Sequence, residues 1–192
     1  MTNIAIFASG SGSNAENIIN SCTENSLSVS KIYCNKKNAG VLNRAQKLSV
    51  PYRVFSRDEF YNSDIILSEL QEDNTDYIIL AGFLWLIPSY LIQAFPNKII
   101  NIHPALLPDY GGKGMYGNNV HKAVINNKEK KSGITIHVVD EKYDNGTIIF
   151  QETCTVSPDD TPETLAEKIH ALEYTHFPKV IFEYITHHQK SS

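Results

Sequence analysis

Cysteine is scarce and scattered: Cys22, Cys34 and Cys154 are the whole complement, and no two share a Cys-x-x-Cys spacing. An odd number at such separations suits reduced thiols, which excludes a disulfide framework and a cysteine-built zinc site, and we expect no metal. Long hydrophobic runs are missing too. No stretch approaches the roughly 20 apolar residues of a membrane span, so no membrane partner is expected. Charge of one sign is not in excess: the formal net charge is -4, which leaves no electrostatic footprint for nucleic acid. The local basic clusters at Lys36-Lys37 and from Lys128 to Lys131 read as solvated loops. The opening Met1-Thr-Asn-Ile-Ala-Ile-Phe-Ala8 lacks a basic leader segment and runs into a glycine loop, so it reads as a first core strand of a cytoplasmic protein. Asn145-Gly-Thr147 fits a glycosylation pattern that has no meaning without secretion.

What remains is an ordinary globular composition, 42% hydrophobic and 20% charged over 192 residues, enough for one domain to bury a core without staples. Short β-branched runs at Ile4 to Ala8, Val29 to Cys34, Tyr52 to Phe55, Tyr77 to Leu80 and Lys98 to Ile102 read as strands. Helical spacing fills the gaps at Asn14 to Ser21, Gly40 to Leu48 and Asp58 to Glu72, the last placing Ile65, Ile66 and Leu70 on one side. After His103 the pattern changes to a glycine-rich loop, a short helix around Asn119 to Asn126, and two alternating strands, Gly133 to Val139 and Thr147 to Val156. A final helix opens with Thr161 as N-cap and Pro162 at its first position. Pro178 is expected to kink or split that helix, and the tail from His187 to fray. The sum is an α/β fold: a single-domain, Rossmann-like, mostly parallel doubly wound sheet with an antiparallel C-terminal extension and a C-terminal helix. No internal repeat or low-complexity linker interrupts it.

Two places carry chemistry. Ser9-Gly-Ser-Gly-Ser-Asn14 leaves the first strand and opens a helix, so its backbone N–H groups and the positive helix end can receive an anion, with phosphate the natural guest. It lacks the Lys-Ser/Thr ending of a P-loop, and Ala15 stands where a dinucleotide fingerprint has its third glycine, which argues against a full dinucleotide. A plain strand-to-helix turn capped by Ser13 or Asn14 is the other reading of this loop. The second place is Asn101-Ile-His-Pro104 at a strand end, with Asp144-Asn-Gly146 in the later turn. Asn101 and His103 share a face if the strand stays extended, and positive φ at Asn145 and Gly146 would aim the Asp144 carboxylate inward. An amide, an imidazole and a carboxylate can together stabilise an oxyanion and move a proton. Taken singly, each could equally serve loop or turn structure.

With Leu80-Ala-Gly-Phe83, Asn101-Ile-His-Pro-Ala-Leu-Leu-Pro108 and Asp140-Glu-Lys-Tyr-Asp-Asn-Gly146 added to the glycine loop, the chain resembles the folate-dependent formyltransferases nearly end to end. Within them it is most similar to the branch that formylates phosphoribosylglycinamide (glycinamide ribonucleotide) in purine biosynthesis. The resemblance implies 10-formyltetrahydrofolate as co-substrate, transfer of its formyl group to the glycinamide amine, and small-molecule partners only. Asn101, His103 and Asp144 match the catalytic residues, Asn101 and His103 meeting the oxyanion and Asp144 tuning His103. Gly12, Ser13 and Asn14 match phosphate ligands, Gly82 and Pro104 border the glycinamide arm, and Glu173, which alone would pass for helix surface, matches a ribose-binding acid. Arg57, Leu84, Trp85, Leu86, Ile87 and Asn101 match the folate site. The resemblance also implies a phosphate-binding half over 1–100 and a catalytic and folate-binding half over 101–192, in a monomer or homodimer.

Three departures stand out. Leu84-Trp85 replaces a common Met-Arg, Asp144-Asn-Gly replaces Asp-Gly-Gly, and Gly111-Gly-Lys-Gly-Met-Tyr-Gly117 is longer than the usual segment, which suggests a mobile lid or a rearranged cleft wall. Related transferases acting on another phosphorylated amine or a sugar amine would share the core, as would a formyltetrahydrofolate hydrolase. A catalytically idle folate- or nucleotide-binding module is the reading from outside the enzymes.

Overall fold

The computed structural model describes residues 1–22 and 26–190. One seven-stranded sheet runs in the order β3 (Tyr52–Val54), β2 (Leu27–Cys34), β1 (Thr2–Ala8), β4 (Tyr77–Leu80), β5 (Ile99–His103), β6 (Lys131–Val138), β7 (Ile148–Thr155). The chain divides into two compact units, Met1–Ile100 and Asn101–Ser192, with β5 (Ile99–His103) running from the first into the second.

In the first unit β1 (Thr2–Ala8) pairs in parallel with β2 (Leu27–Cys34) and β4 (Tyr77–Leu80), and β2 in parallel with β3 (Tyr52–Val54). Central β1 and β4 are covered on both faces, which is why Ile4 to Ala8 and Tyr77 to Leu80 are continuous apolar runs and not alternating ones. The covering helices include α1 (Ser13–Cys22) and α2 (Gly40–Lys47), which bury Ala15 and Ile18, and Val41, Leu42 and Ala45. Phe7 stacks on Tyr33 at 4.8 Å between ring centroids, and Phe55, Phe60 and Phe83 crowd around it as an aromatic core. Such ring pairs add to the plain burial energy.

The helix expected over Asp58 to Glu72 is two helices, α3 (Arg57–Tyr61) and α4 (Ile65–Glu72). Local polar side chains break it. Asn62 Nδ2 donates to Asp58 Oδ1 at 2.8 Å and Ser63 Oγ donates to the Glu59 carbonyl at 2.8 Å, so both side chains bond back onto the turn they leave, where the helix stops. The restart turns Ile65 outward, 41% exposed, while Ile66 and Leu70 are buried. α3 opens on a capping box: Ser56 Oγ accepts from Glu59 N, and the Glu59 carboxylate accepts from Ser56 N. A further short helix, α5 (Ser89–Ala94), follows Pro88.

In the second unit α6 (Asn118–Asn126) precedes an antiparallel pair, β6 (Lys131–Val138) and β7 (Ile148–Thr155). β6 is buried along nearly all its length, whereas the edge strand β7 alternates, one face out and one in. The last helix, α7 (Pro162–Lys190), is not divided at Pro178 and includes His187 to Lys190, so neither the break nor the fraying expected there occurs within the described residues. A proline removes one N–H bond, but the buried stripe Phe177, Val180, Ile181 and Ile185 carries the helix past it. No helix of the described residues is long and apolar enough to cross a membrane.

Candidate active site

β5 delivers Asn101 and His103 two residues apart, and both side chains find partners from the late strands and their loop. Asn101 Nδ2 lies 3.0 Å from His137 Nε2. His103 is 3% exposed; its Nε2 donates to the Tyr110 carbonyl at 2.8 Å, and its Nδ1 faces Asp144 Oδ1 at 3.5 Å. Asp144 Oδ1 is also 3.8 Å from His137 Nε2, and Asp144 Oδ2 accepts from Gly112 N at 2.9 Å. The amide, ring and carboxylate picked out in the sequence therefore gather at one place. Both nitrogens of His103 thus face oxygen atoms, one of a backbone carbonyl and one of a carboxylate.

The turn that aims Asp144 differs from expectation. Positive φ falls on Asp144 itself, at 51°, and not on Asn145 or Gly146. Aspartate tolerates that region better than most side chains. Gly146 is required for another reason: a Cβ there would lie 1.7 Å from the Val138 carbonyl oxygen. Asp140 ties the loop from within, accepting from Lys142 N at 2.9 Å and from Asn145 Nδ2 at 2.7 Å. After His103, half-buried Pro104 leads into a segment fastened by Thr135, whose Oγ1 donates to the Ala105 carbonyl at 2.7 Å and accepts from Leu107 N at 2.9 Å.

Glu173 is not helix surface. It sits 5% exposed in the apolar stripe of α7, where its carboxylate meets His170 Nδ1 at 2.9 Å. That hydrogen bond raises the His170 pKa above its usual value, with burial opposing.

In the first unit the glycine loop sits between β1 and α1. Gly12 has φ 79° and packs so closely on α2 that an added Cβ would meet Val41 at 2.6 Å. Ser13 begins α1 and Asn14 follows it. Arg44 of α2 braces this loop, its Nε donating to the Ser11 carbonyl at 2.9 Å while its guanidinium pairs with Glu16. Ser9 ties the loop to residues 82–84: its N donates to the Gly82 carbonyl at 3.1 Å, and its Oγ accepts from Leu84 N at 3.1 Å. Gly82, with φ 74°, is exposed.

Of the other candidates in this unit, the Arg57 guanidinium lies over the rings of Tyr61 at 4.9 Å and Trp85 at 5.6 Å. Arg57, Asp58, Tyr61 and Asn62 line an open cavity of about 410 Å³. Leu84, Trp85 and Leu86 are half-buried and Ile87 is buried, in an irregular stretch whose Leu86 carbonyl accepts from Tyr61 Oη at 2.9 Å.

A family model described as "Formyl transferase" matches residues 2–181. The chain belongs to the formyl transferase family. It is 41% identical to a chloroplastic phosphoribosylglycinamide formyltransferase of Arabidopsis thaliana over 93% of its own length, but spans only 63% of that relative. Against the phosphoribosylglycinamide formyltransferase of Bacillus subtilis identity is 37%, covering 94% of this chain and 93% of the relative. A crystal structure of phosphoribosylglycinamide formyltransferase from Bacillus halodurans superposes with a TM-score of 0.85 at 34% identity, covering 95% of this chain and 94% of that one.

In this member of the family several residues escaped sequence reasoning because they look like core or loop. His137 is buried in β6 and its pKa is lowered, first by that burial, with the Val138 carbonyl and Asp144 opposing. His121 of α6 is buried likewise, its pKa lowered first by burial and then by His170, and its Nδ1 has no hydrogen-bond partner among the described residues. Tyr110 and Gly112 hold His103 and Asp144 through backbone groups, which no side-chain motif can advertise. The Gly111 to Gly117 segment is therefore tied to the candidate site at its start.

Proposed function

We propose that this chain transfers the formyl group of 10-formyltetrahydrofolate to the amine of glycinamide ribonucleotide, an enzymatic step of purine biosynthesis. The observation that carries the proposal is the gathering of Asn101, His103 and Asp144 in a chain whose relatives bear that activity in their names over nearly all of its length. In this reading the amine lone pair attacks the formyl carbon, a C–N bond forms, and the carbonyl pair moves to oxygen. The resulting oxyanion is met by an Asn101 N–H and by His103, whose Nε2–H leaves the Tyr110 carbonyl to reach it while Nδ1 stays beside Asp144. The tetrahedral species then collapses, breaking the bond to the folate nitrogen. The proton lost by the attacking amine is matched by one delivered to that leaving nitrogen, with His103 as carrier and Asp144 holding its ring.

The glycine loop supplies the phosphate grip through Gly12, Ser13 and Asn14, Gly82 and Pro104 border the glycinamide arm, and Glu173 takes the ribose hydroxyls. For the folate, the residues present fit a flat aromatic ring joined to an anionic tail: Trp85 and Tyr61 offer ring faces and Arg57 a cation already poised over them. Leu84, Leu86 and Ile87 add apolar surface and backbone groups. Trp85 in place of an arginine shifts this part of the site from charge towards stacking.

The test is to incubate the protein with a 10-formylfolate donor and follow deformylation with and without glycinamide ribonucleotide. Consumption that requires the acceptor supports the proposal. Consumption without it assigns a hydrolase instead, and consumption that requires only a sugar amine or another phosphorylated amine assigns a different acceptor.

A further inference from the structure

Asn101 can serve an oxyanion only if its amide presents N–H and not C=O to the substrate, and nothing in an amide's shape decides between the two. His137 decides it. Its Nδ1 lies 3.0 Å from the Val138 carbonyl oxygen, which can only accept, so Nδ1 carries the proton. The ring is 1% exposed, and burial disfavours its cation. In the neutral ring Nε2 is then an acceptor: Asp144 Oδ1 stands off at 3.8 Å, beyond hydrogen-bond reach, and Asn101 Nδ2 faces it at 3.0 Å. One N–H of the amide is spent on His137, the second is left to donate elsewhere, and the Asn101 carbonyl is turned away from His137. A shift in the β6–β7 register between Ile136 and His137 marks the point where the strand is re-aimed to place this ring.

We infer that His137 is a positioning residue for formyl transfer: the Val138 carbonyl sets its tautomer, the tautomer sets the orientation of the Asn101 amide, and that orientation leaves an N–H for the oxyanion. The inference rests on the transferase reading above and adds to it a residue that never touches the substrate. It commits to a direction of donation that would reverse if the ring carried its proton on Nε2.

His137→Asn keeps a donor for the Val138 carbonyl but cannot reach Asn101, whereas His137→Gln places an acceptor oxygen near the Nε2 position. The expected result is a kcat lowered about tenfold or more by His137→Asn, with KM for donor and acceptor unchanged, and most of that loss recovered by His137→Gln. In an Asn101→Ala background the His137→Asn change is expected to cost less than about twofold further, because the group it positions is gone. Equal losses in the Asn and Gln variants, a loss confined to KM, or full multiplication of the two single effects would each overturn the inference. Long-range proton–nitrogen NMR of the imidazoles separates this from failure of the transferase reading. It is expected to show His137 protonated on Nδ1 alone whether or not the protein turns over, and protonation on Nε2 would overturn the inference by itself.

Discussion

Gly12→Ala and Gly82→Ala add the same methyl group at nearly the same backbone angle, 79° and 74°, in opposite surroundings. At Gly82 nothing lies within 4 Å of the new atom, so the whole cost is conformational. A side chain in the left-handed region costs roughly 1–2 kcal/mol. At Gly12 the same cost applies, and the methyl also meets Val41 Cα, Cβ and Cγ2, each at 2.6 Å. The Cα belongs to buried backbone near the start of α2 and cannot rotate aside. Overpacking of this kind adds about 1–3 kcal/mol, which brings Gly12→Ala to about 2–5 kcal/mol. For a chain of this size each kcal/mol lowers Tm by about 2–4 °C. Thermal unfolding followed by circular dichroism should therefore show losses of about 2–8 °C for Gly82→Ala and about 4–20 °C for Gly12→Ala. The clash also pushes the glycine loop off α2, so KM for glycinamide ribonucleotide should rise by about tenfold or more in Gly12→Ala, since one misplaced charge-assisted bond is worth about that much. A Gly12→Ala protein no less stable than Gly82→Ala would refute the packing argument.

Three further outcomes are expected. His103→Ala should nearly abolish turnover, by roughly a hundredfold or more, while calorimetric affinities for both substrates stay broadly intact; wild-type-like rates would reject the assigned proton carrier. Arg57→Ala should raise KM for the folate donor and leave KM for the acceptor unchanged in steady-state kinetics, and the reverse pattern would remove Arg57 from the folate site. The pH dependence of stability should carry the His170–Glu173 pair: since His170 is raised above the ordinary 6.5 by its bond to Glu173, the pair's contribution is complete below that ordinary value and is lost as pH climbs through the raised one. The urea midpoint of wild type should thus exceed that of His170→Ala by more at pH 6 than at pH 9, and an equal gap at both would refute the linkage.

Local pattern carried much of this protein. The fully apolar runs of β1 and β4 announced central parallel strands, because a strand covered on both faces has no polar side to show. The alternation in β7 matched an edge strand. Local polar competition was harder to weigh: Asn62 and Ser63 break a pattern that apolar spacing alone extends to Glu72, and only their bonds back to Asp58 and Glu59 reveal it. Pro178 did not split α7, since packing of the residues after it outweighed one missing N–H. Glu173 passed for surface because its spacing with Ile169 and Phe177 marks a buried stripe only once α7 has something to pack on.

The strands, the glycine loop and the start of α7 after Thr161 are written within a few neighbouring residues, and so the sequence alone determined them, as it did the choice of Asn101, His103 and Asp144 as candidates. Which way the Asn101 amide points, which nitrogen of His137 holds the proton, and that Asp144 itself takes the positive φ were decided by the fold. The reason is physical: Asn101 and His137 are 36 residues apart, and a hydrogen bond has a direction only after both partners have been placed.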